Sequence, residues 1–286
     1  MMREHISKIP GRIENAHKGD YGRILILAGS RGMTGAAFLS SEGALLTGSG
    51  LITNGIPESL NCVMEVKLTE VMTLPLPETK DATLSLKAKS QILSFSEKCD
   101  AVAIGPGLGR NEETKKLVKE LMVEIEKPIV LDADGINALD GNLEIIKNRA
   151  GVTVITPHPG EMARLTGKSI SEIQSKRKDI AKSVAKLTGA VICLKGHRTV
   201  VADSSGFVYV NETGNSGMAT GGTGDILTGM ITSFIGQKIS ASSAAIISVY
   251  LHGMAGDIAA EKKGQFSTRA KDVIESIPEA FGKAGI

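Results

Sequence analysis

The chain has 286 residues, with 33 Lys+Arg against 31 Asp+Glu, and only nine Phe and Tyr with no Trp. Balanced charge without a basic run, and few aromatics to stack on bases, argue against a nucleic-acid partner. Cys62, Cys99 and Cys193 are widely separated and form no C-x-x-C, so neither a zinc site nor a redox pair is indicated, and reduced thiols in a cytoplasmic protein are expected.

The N-terminal Met1-Met2-Arg3-Glu4-His5 leads to no apolar signal core. The first apolar run is Arg23-Ile24-Leu25-Ile26-Leu27-Ala28, which stops at Gly29-Ser30. Residues 36–53 are the least charged long stretch, yet they hold Glu42 and several Ser and Gly. They read as a buried helix and the start of a strand, not as a membrane span. Further short runs are Ala101-Val102-Ala103-Ile104, Pro128-Ile129-Val130-Leu131, Val152-Thr153-Val154-Ile155 and Ala190-Val191-Ile192-Cys193-Leu194. Each has the length of a parallel strand buried on both faces. Helical patterns lie between them. One spans 112–125, with Asn111 as its cap; another opens at a capping box, Ser169 to Glu172, and runs to about 187. Residues 199–202 and 207–210 predict a hairpin around Asp203-Ser204-Ser205-Gly206, and 225–236, 241–262 and 268–281 predict helices. Strand alternating with helix predicts an α/β fold: a mostly parallel sheet with helices on both faces, binding its ligand beyond the carboxyl ends of the strands. No linker, repeat or low-complexity segment interrupts the alternation, so residues 1–286 are expected to form one domain.

The unusual residues collect at those strand ends. In Asn215-Ser216-Gly217-Met218-Ala219-Thr220-Gly221-Gly222-Thr223-Gly224-Asp225, four glycines lie within eight residues, just before a helix. Glycine lets backbone approach a ligand closely, and a helix N-terminus supplies free N–H donors, so this is an anion hole with phosphate as its guest. It is not a P-loop, because Asp225-Ile226 replaces the Lys-Ser/Thr pair. Nor is it a dinucleotide fingerprint, whose third glycine would fall on Leu227. Asp225 reads either as a helix cap or as a base beside the phosphate. His158-Pro159-Gly160-Glu161 is a turn that could also aim an imidazole at substrate and a carboxylate at Mg²⁺-bound phosphate. Asp132 and Asp134 are a carboxylate pair, metal ligands or turn residues. Lys195 and Arg198 could hold phosphate or be solvated turn residues, and their place at a sheet edge favours phosphate. His252, in an apolar helix, reads as a packed core histidine.

Together these residues resemble the ribokinase-like superfamily, and within it the ADP-dependent NAD(P)H-hydrate dehydratases. The marks are Gly29-Ser30 with Gly35-Ala36, Gly105-Pro106-Gly107-Leu108-Gly109, Leu131-Asp132-Ala133-Asp134, Thr156-Pro157-His158-Pro159-Gly160-Glu161, Leu194-Lys195-Gly196, and the loop from Gly214 to Asp225. They run from His17-Lys18-Gly19 to the final helix. The resemblance implies a lyase of nicotinamide cofactor repair: ADP-driven dehydration of the S epimer of NADHX or NADPHX, giving NAD(P)H, AMP and phosphate. It implies Asp225 as the base, and Gly222, Thr223 and Gly224 as the anion hole. Lys195, Gly196, His197, Arg198, Thr199 and Gly224 would contact the nucleotide. Ala36, Gly107, His158 and Asp225 would contact the hydrated cofactor, and Glu161 would meet Mg²⁺ through water. It further implies a homotetramer. The chain starts almost at the dehydratase pattern, so a separate NAD(P)HX epimerase is expected as functional partner. The rival expectations are a small-molecule kinase of the same superfamily and a nucleotide sensor on the same fold.

Overall fold

The computed structural model describes residues 2–286. One sheet holds strands β1 (Arg23–Leu27), β2 (Leu51–Pro57), β3 (Met72–Leu76), β4 (Ala101–Ile104), β5 (Ile129–Leu131), β6 (Thr153–Ile155), β7 (Val191–Leu194), β8 (Val200–Ala202) and β9 (Val208–Val210). Its order is β3-β2-β1-β4-β5-β6-β7-β8-β9; β8 alone runs against the others, and β8 and β9 form the expected hairpin. Helices are α1 (Met2–Ile6), α2 (Thr34–Leu46), α3 (Asn61–Lys67), α4 (Lys89–Ser96), α5 (Glu112–Glu124), α6 (Ala133–Asn137), α7 (Glu144–Lys147), α8 (Pro159–Thr166), α9 (Ile170–Ser175), α10 (Arg177–Thr188), α11 (Thr223–Gly236), α12 (Ala241–Lys263) and α13 (Ala270–Ala284).

Side chains alternate across a strand, so β1 serves two cores. Ile24 and Ile26 join Ile226, Phe234, Ile247 and Ile277 of α11, α12 and α13. Leu25 and Leu27 join Ile92, Leu117, Met162 and Ile180 of α4, α5, α8 and α10. Both faces being covered is why the central strands read as continuous apolar runs. α12 is long and apolar enough to cross a bilayer, but 78% of that window is buried inside the fold, which makes it a core helix.

Two local expectations need correction. Ser169 does cap a helix, accepting from the Glu172 N–H at 3.1 Å, but the Glu172 carboxylate turns to Lys168 at 2.7 Å, so the box is only half formed. The chain then breaks at Lys176, giving α9 and α10 in place of one helix. The last helix begins at Ala270, later than 268, with Asp272 accepting from the Arg269 N–H at 2.8 Å.

α2 and α11 meet backbone to backbone. A side chain on Gly229 would begin 1.9 Å from the Ser40 carbonyl oxygen, and one on Gly43 would begin 2.5 Å from that of Ile226. Without side chains at these points the helices come close enough for their N-terminal ends to sit together over the sheet.

Candidate active site

The N-terminus of α11 is built by the glycine loop. Gly222 caps the helix at φ 98°, and a side chain there would begin 2.3 Å from Leu39 Cδ1. Thr223 Oγ1 ties the loop down by donating to the Met218 carbonyl at 3.0 Å. The Asp225 and Ile226 amides both bond back to the Gly222 carbonyl. Those of Thr223 and Gly224, among the described residues, remain as the free donors that a helix start presents to an anion.

Asp225 is not the cap: it is the third helical residue, and its carboxyl has no hydrogen-bond partner among the described residues. Burial, reinforced by the nearby charge of Asp132 and opposed by Lys195, pushes its pKa up to about 7. A carboxyl that titrates near neutrality and has nothing to hold is suited to exchanging a proton.

Lys195 follows β7. Its Nζ donates to Asp132 Oδ1 at 2.5 Å and passes 3.3 Å from where a Gly224 side chain would start. Burial works against its charge, but Asp132 and then Glu161 more than offset this and hold the pKa above the ordinary lysine value. Asp132 is 1% exposed, and its Oδ2 accepts from Thr228 Oγ1 of α11 at 2.7 Å. The ammonium is thus fixed beside the free amide of Gly224. Asp134 does not pair with Asp132. It accepts from the Gly109 N–H at 2.9 Å and so anchors the glycine turn after β4.

His158 and Glu161 form a reciprocal cap on α8. His158 Nδ1 accepts from the Gly160 N–H at 2.9 Å, and Glu161 Oε2 accepts from the His158 N–H at 2.8 Å. Glutamate at the third helical position and proline at the first are what this cap needs. Burial, then Lys195 and Arg164, lower the His158 pKa, so the imidazole is neutral and its proton sits on Nε2, 3.3 Å from Glu161 Oε1. The ring is held at Nδ1 and half its side chain is exposed, which suits a contact surface better than an acid or base.

In the turn after β4, Gly107 has φ 64°, and a side chain there would begin 2.9 Å from Ala36 Cβ. Ser30 Oγ donates to the Gly107 carbonyl at 2.8 Å. The structure therefore brings Ala36 and Gly107 into contact. Lys195, Gly196, His197, Arg198, Thr199, Thr223 and Gly224 share a cleft of about 480 Å³. The sequence reading missed other members of its wall, including Asn211, Asn215, Leu227, Val249 and His252. Asn211 is buried, donating to the Val249 carbonyl at 3.0 Å. His252 is buried as expected, and burial lowers its pKa to about 4, so it stays neutral at the cleft wall.

No group of three or more metal-binding side chains converges among the described residues. Asp132 spends both oxygens on Lys195 and Thr228, and Glu161 spends Oε2 on the cap. This donor set does not fit a directly ligated cation. It fits outer contact with the waters of an ion carried on nucleotide phosphates, the usual mode for Mg²⁺.

Residues 24–279 match the family model described as NAD(P)H-hydrate dehydratase. The bifunctional NAD(P)H-hydrate repair enzyme of Moorella thermoacetica is 45% identical over 272 residues, covering 95% of this chain and 51% of that protein. The chain thus spans about half the length of this curated relative. The ADP-dependent (S)-NAD(P)H-hydrate dehydratase of Bacillus subtilis is 34% identical over 281 residues, covering 97% of this chain and 96% of that one. A crystal structure of the B. subtilis ADP/ATP-dependent NAD(P)H-hydrate dehydratase, co-crystallised with ATP and Mg²⁺, superposes with a TM-score of 0.83 at 31% identity, covering 99% and 97% of the two chains. Sequence and fold thus agree, and the chain belongs to the NAD(P)H-hydrate dehydratase family, on the ribokinase-like fold its motifs led one to expect.

Proposed function

We propose that the chain dehydrates the S epimer of NADHX and NADPHX at the expense of ADP or ATP, restoring NAD(P)H. The observation that carries this reading is the Asp225 carboxyl, unpartnered among the described residues and one position from the free Gly224 amide. In this reading the nucleotide lies in the cleft of Lys195, Gly196, His197, Arg198 and Thr199, with its terminal phosphate on the amides of Thr223 and Gly224. The hydrated ring lies against Ala36, Gly107 and His158. Asp225 takes the proton of the ring hydroxyl as that oxygen attacks the terminal phosphorus, and the bond from phosphorus to the leaving nucleotide breaks. The carbon–oxygen bond then breaks, releasing phosphate, and the adjacent carbon gives up a proton to form the double bond. Lys195 and the helix amides stabilise charge that shifts onto the phosphate oxygens and leaving group. Glu161 and Asp132 would face the waters of Mg²⁺, which when bound neutralises nucleotide charge. A tetrameric assembly is part of the same proposal and rests on the motif resemblance alone.

The test is a coupled absorbance assay with purified protein, Mg²⁺ and chemically hydrated NADH, supplied with ADP and with ATP in turn. Reduced nicotinamide should appear with release of phosphate in equal amount. A stable phosphorylated product, or nucleotide binding without turnover, would replace this reading with the kinase or the sensor.

A further inference from the structure

Beside His158 and the turn after β4, a second cavity of about 380 Å³ is lined by Arg110, Lys115 and Arg164 together with Asp140 and Glu161. Both carboxylates are already engaged. Asp140 accepts from Lys119 at 2.7 Å and lies 3.8 Å from Lys115, while Glu161 belongs to the α8 cap. Arg164 is held differently. Its Nε and Nη2 both donate to the neutral Oδ1 of Asn137, at 3.1 and 2.9 Å, so the guanidinium is aimed without being neutralised. Arg110 is 72% exposed and lies 3.7 Å from Asp134 Oδ1. An oriented guanidinium in a concavity, without a carboxylate of its own, matches the fork geometry of a phosphate group.

The position favours a phosphate of the hydrated cofactor over one of the adenine nucleotide. Arg110 directly follows the Gly107-Leu108-Gly109 turn, and Arg164 Nη1 lies 3.7 Å from where a Gly160 side chain would begin. Both cations therefore adjoin the residues assigned above to the hydrated ring, and both lie outside the wall of the nucleotide cleft. We infer that Arg164 and Arg110 bind a phosphate of the dinucleotide portion of the substrate, so that this cavity is the subsite for the part of the molecule beyond the reacting ring. The inference rests on the dehydratase reading. Two phosphates share this chemistry: the bridging pyrophosphate, present in both hydrates, and the 2′-phosphate, present in NADPHX alone.

The experiment measures steady-state kinetics of Arg164→Gln, Arg110→Gln and the double variant with NADHX and with NADPHX, and calorimetric binding of NADH and NADPH. A remote contact made equally in ground and transition states acts on KM and spares kcat. Loss of a charge-assisted contact should raise the KM roughly tenfold or more, and weaken product binding in parallel. The KM for ADP should stay within about twofold, since the nucleotide cleft is untouched. A rise with both hydrates assigns the pyrophosphate, and a rise with NADPHX alone assigns the 2′-phosphate. Unaltered KM and product binding in the double variant overturn the inference, as does a fall in kcat at unchanged KM. Arg110→Gln guards against misfolding, because Arg110 lies on a loop and its removal spares the Asn137 contact. If the wild type dehydrates neither hydrate, the dehydratase reading fails. Calorimetry then judges the subsite on its own, and undiminished NADPH binding by the variants rejects it.

Discussion

At the scale of single residues, the proposed base Asp225 links chemistry to stability. With its pKa pushed up to about 7, the native state binds the proton more tightly than the unfolded chain does. Such a group contributes stability fully below the ordinary Asp range, and that contribution is lost as pH rises through about 7. Asp225→Asn cannot ionise, so its melting temperature should come level with wild type only below about pH 4 and exceed it increasingly as pH rises, by a few degrees at pH 8. The same variant loses the proton acceptor and should turn over ~100- to 10,000-fold more slowly. For wild type, kcat/KM should rise with pH through an apparent pKa near 7, since the base must be ionised. A flat profile between pH 5.5 and 8, or an Asn variant within a few-fold of wild type, would remove Asp225 from the mechanism. His158 teaches a second lesson at this scale. A turn that reads as chemistry in sequence is also a complete helix cap, so its residue types are accounted for by the cap alone, and the proposed contact with substrate uses the exposed half of the ring.

At the scale of elements, the contact between α2 and α11 sets the site. Gly229→Ala would place a methyl 1.9 Å from the Ser40 carbonyl oxygen, an overlap relieved only if the helices separate. The expected result is a stability loss of about 1–3 kcal/mol, together with reduced activity because the α11 N-terminus moves with its helix. Denaturant titration and the dehydration assay would check it, and an unchanged midpoint would show that the helices can yield there. Legibility in sequence also divides by element. β1, β4, β5, β6 and β7 are almost wholly apolar runs, broken only by Arg23 at the start of β1 and Thr153 in β6, because both their faces are covered. β2 was foreseen only at its start, because Asn54, Gly55 and Pro57 break the pattern. In the fold Asn54 Nδ2 donates to the Ile26 carbonyl at 3.1 Å, and Gly55 leaves room for the side chains of Leu27 and Leu76. β3 escaped notice as a partly exposed edge strand containing Pro75. In the site, the glycine loop and the Lys195 turn announce themselves locally. The bond from Lys195 to Asp132 joins residues 63 positions apart, and the places of Asn211 and His252 on the cleft wall depend on packing, so no local pattern reports them.

At the scale of the whole molecule, the cleft draws its wall from segments far apart in sequence, from Lys195 after β7 to Gly253 in α12. A ligand that joins these segments stabilises the native state by mass action, by about 2.7 kcal/mol at a hundred times its Kd. ADP with Mg²⁺ should therefore raise the melting temperature in a concentration-dependent manner, and Lys195→Met should abolish most of the rise. A rise of equal size in that variant would place the nucleotide elsewhere.

The glycine contact between α2 and α11 has one more consequence. Two helices pressed together at their backbones behave as a caliper with its jaws locked: neither can slide or turn without the other. Ala36 stands near the tip of one jaw and Asp225 near the tip of the other. A side chain added between the jaws should therefore show itself at their tips, as a change in the spacing of Ala36 and Asp225.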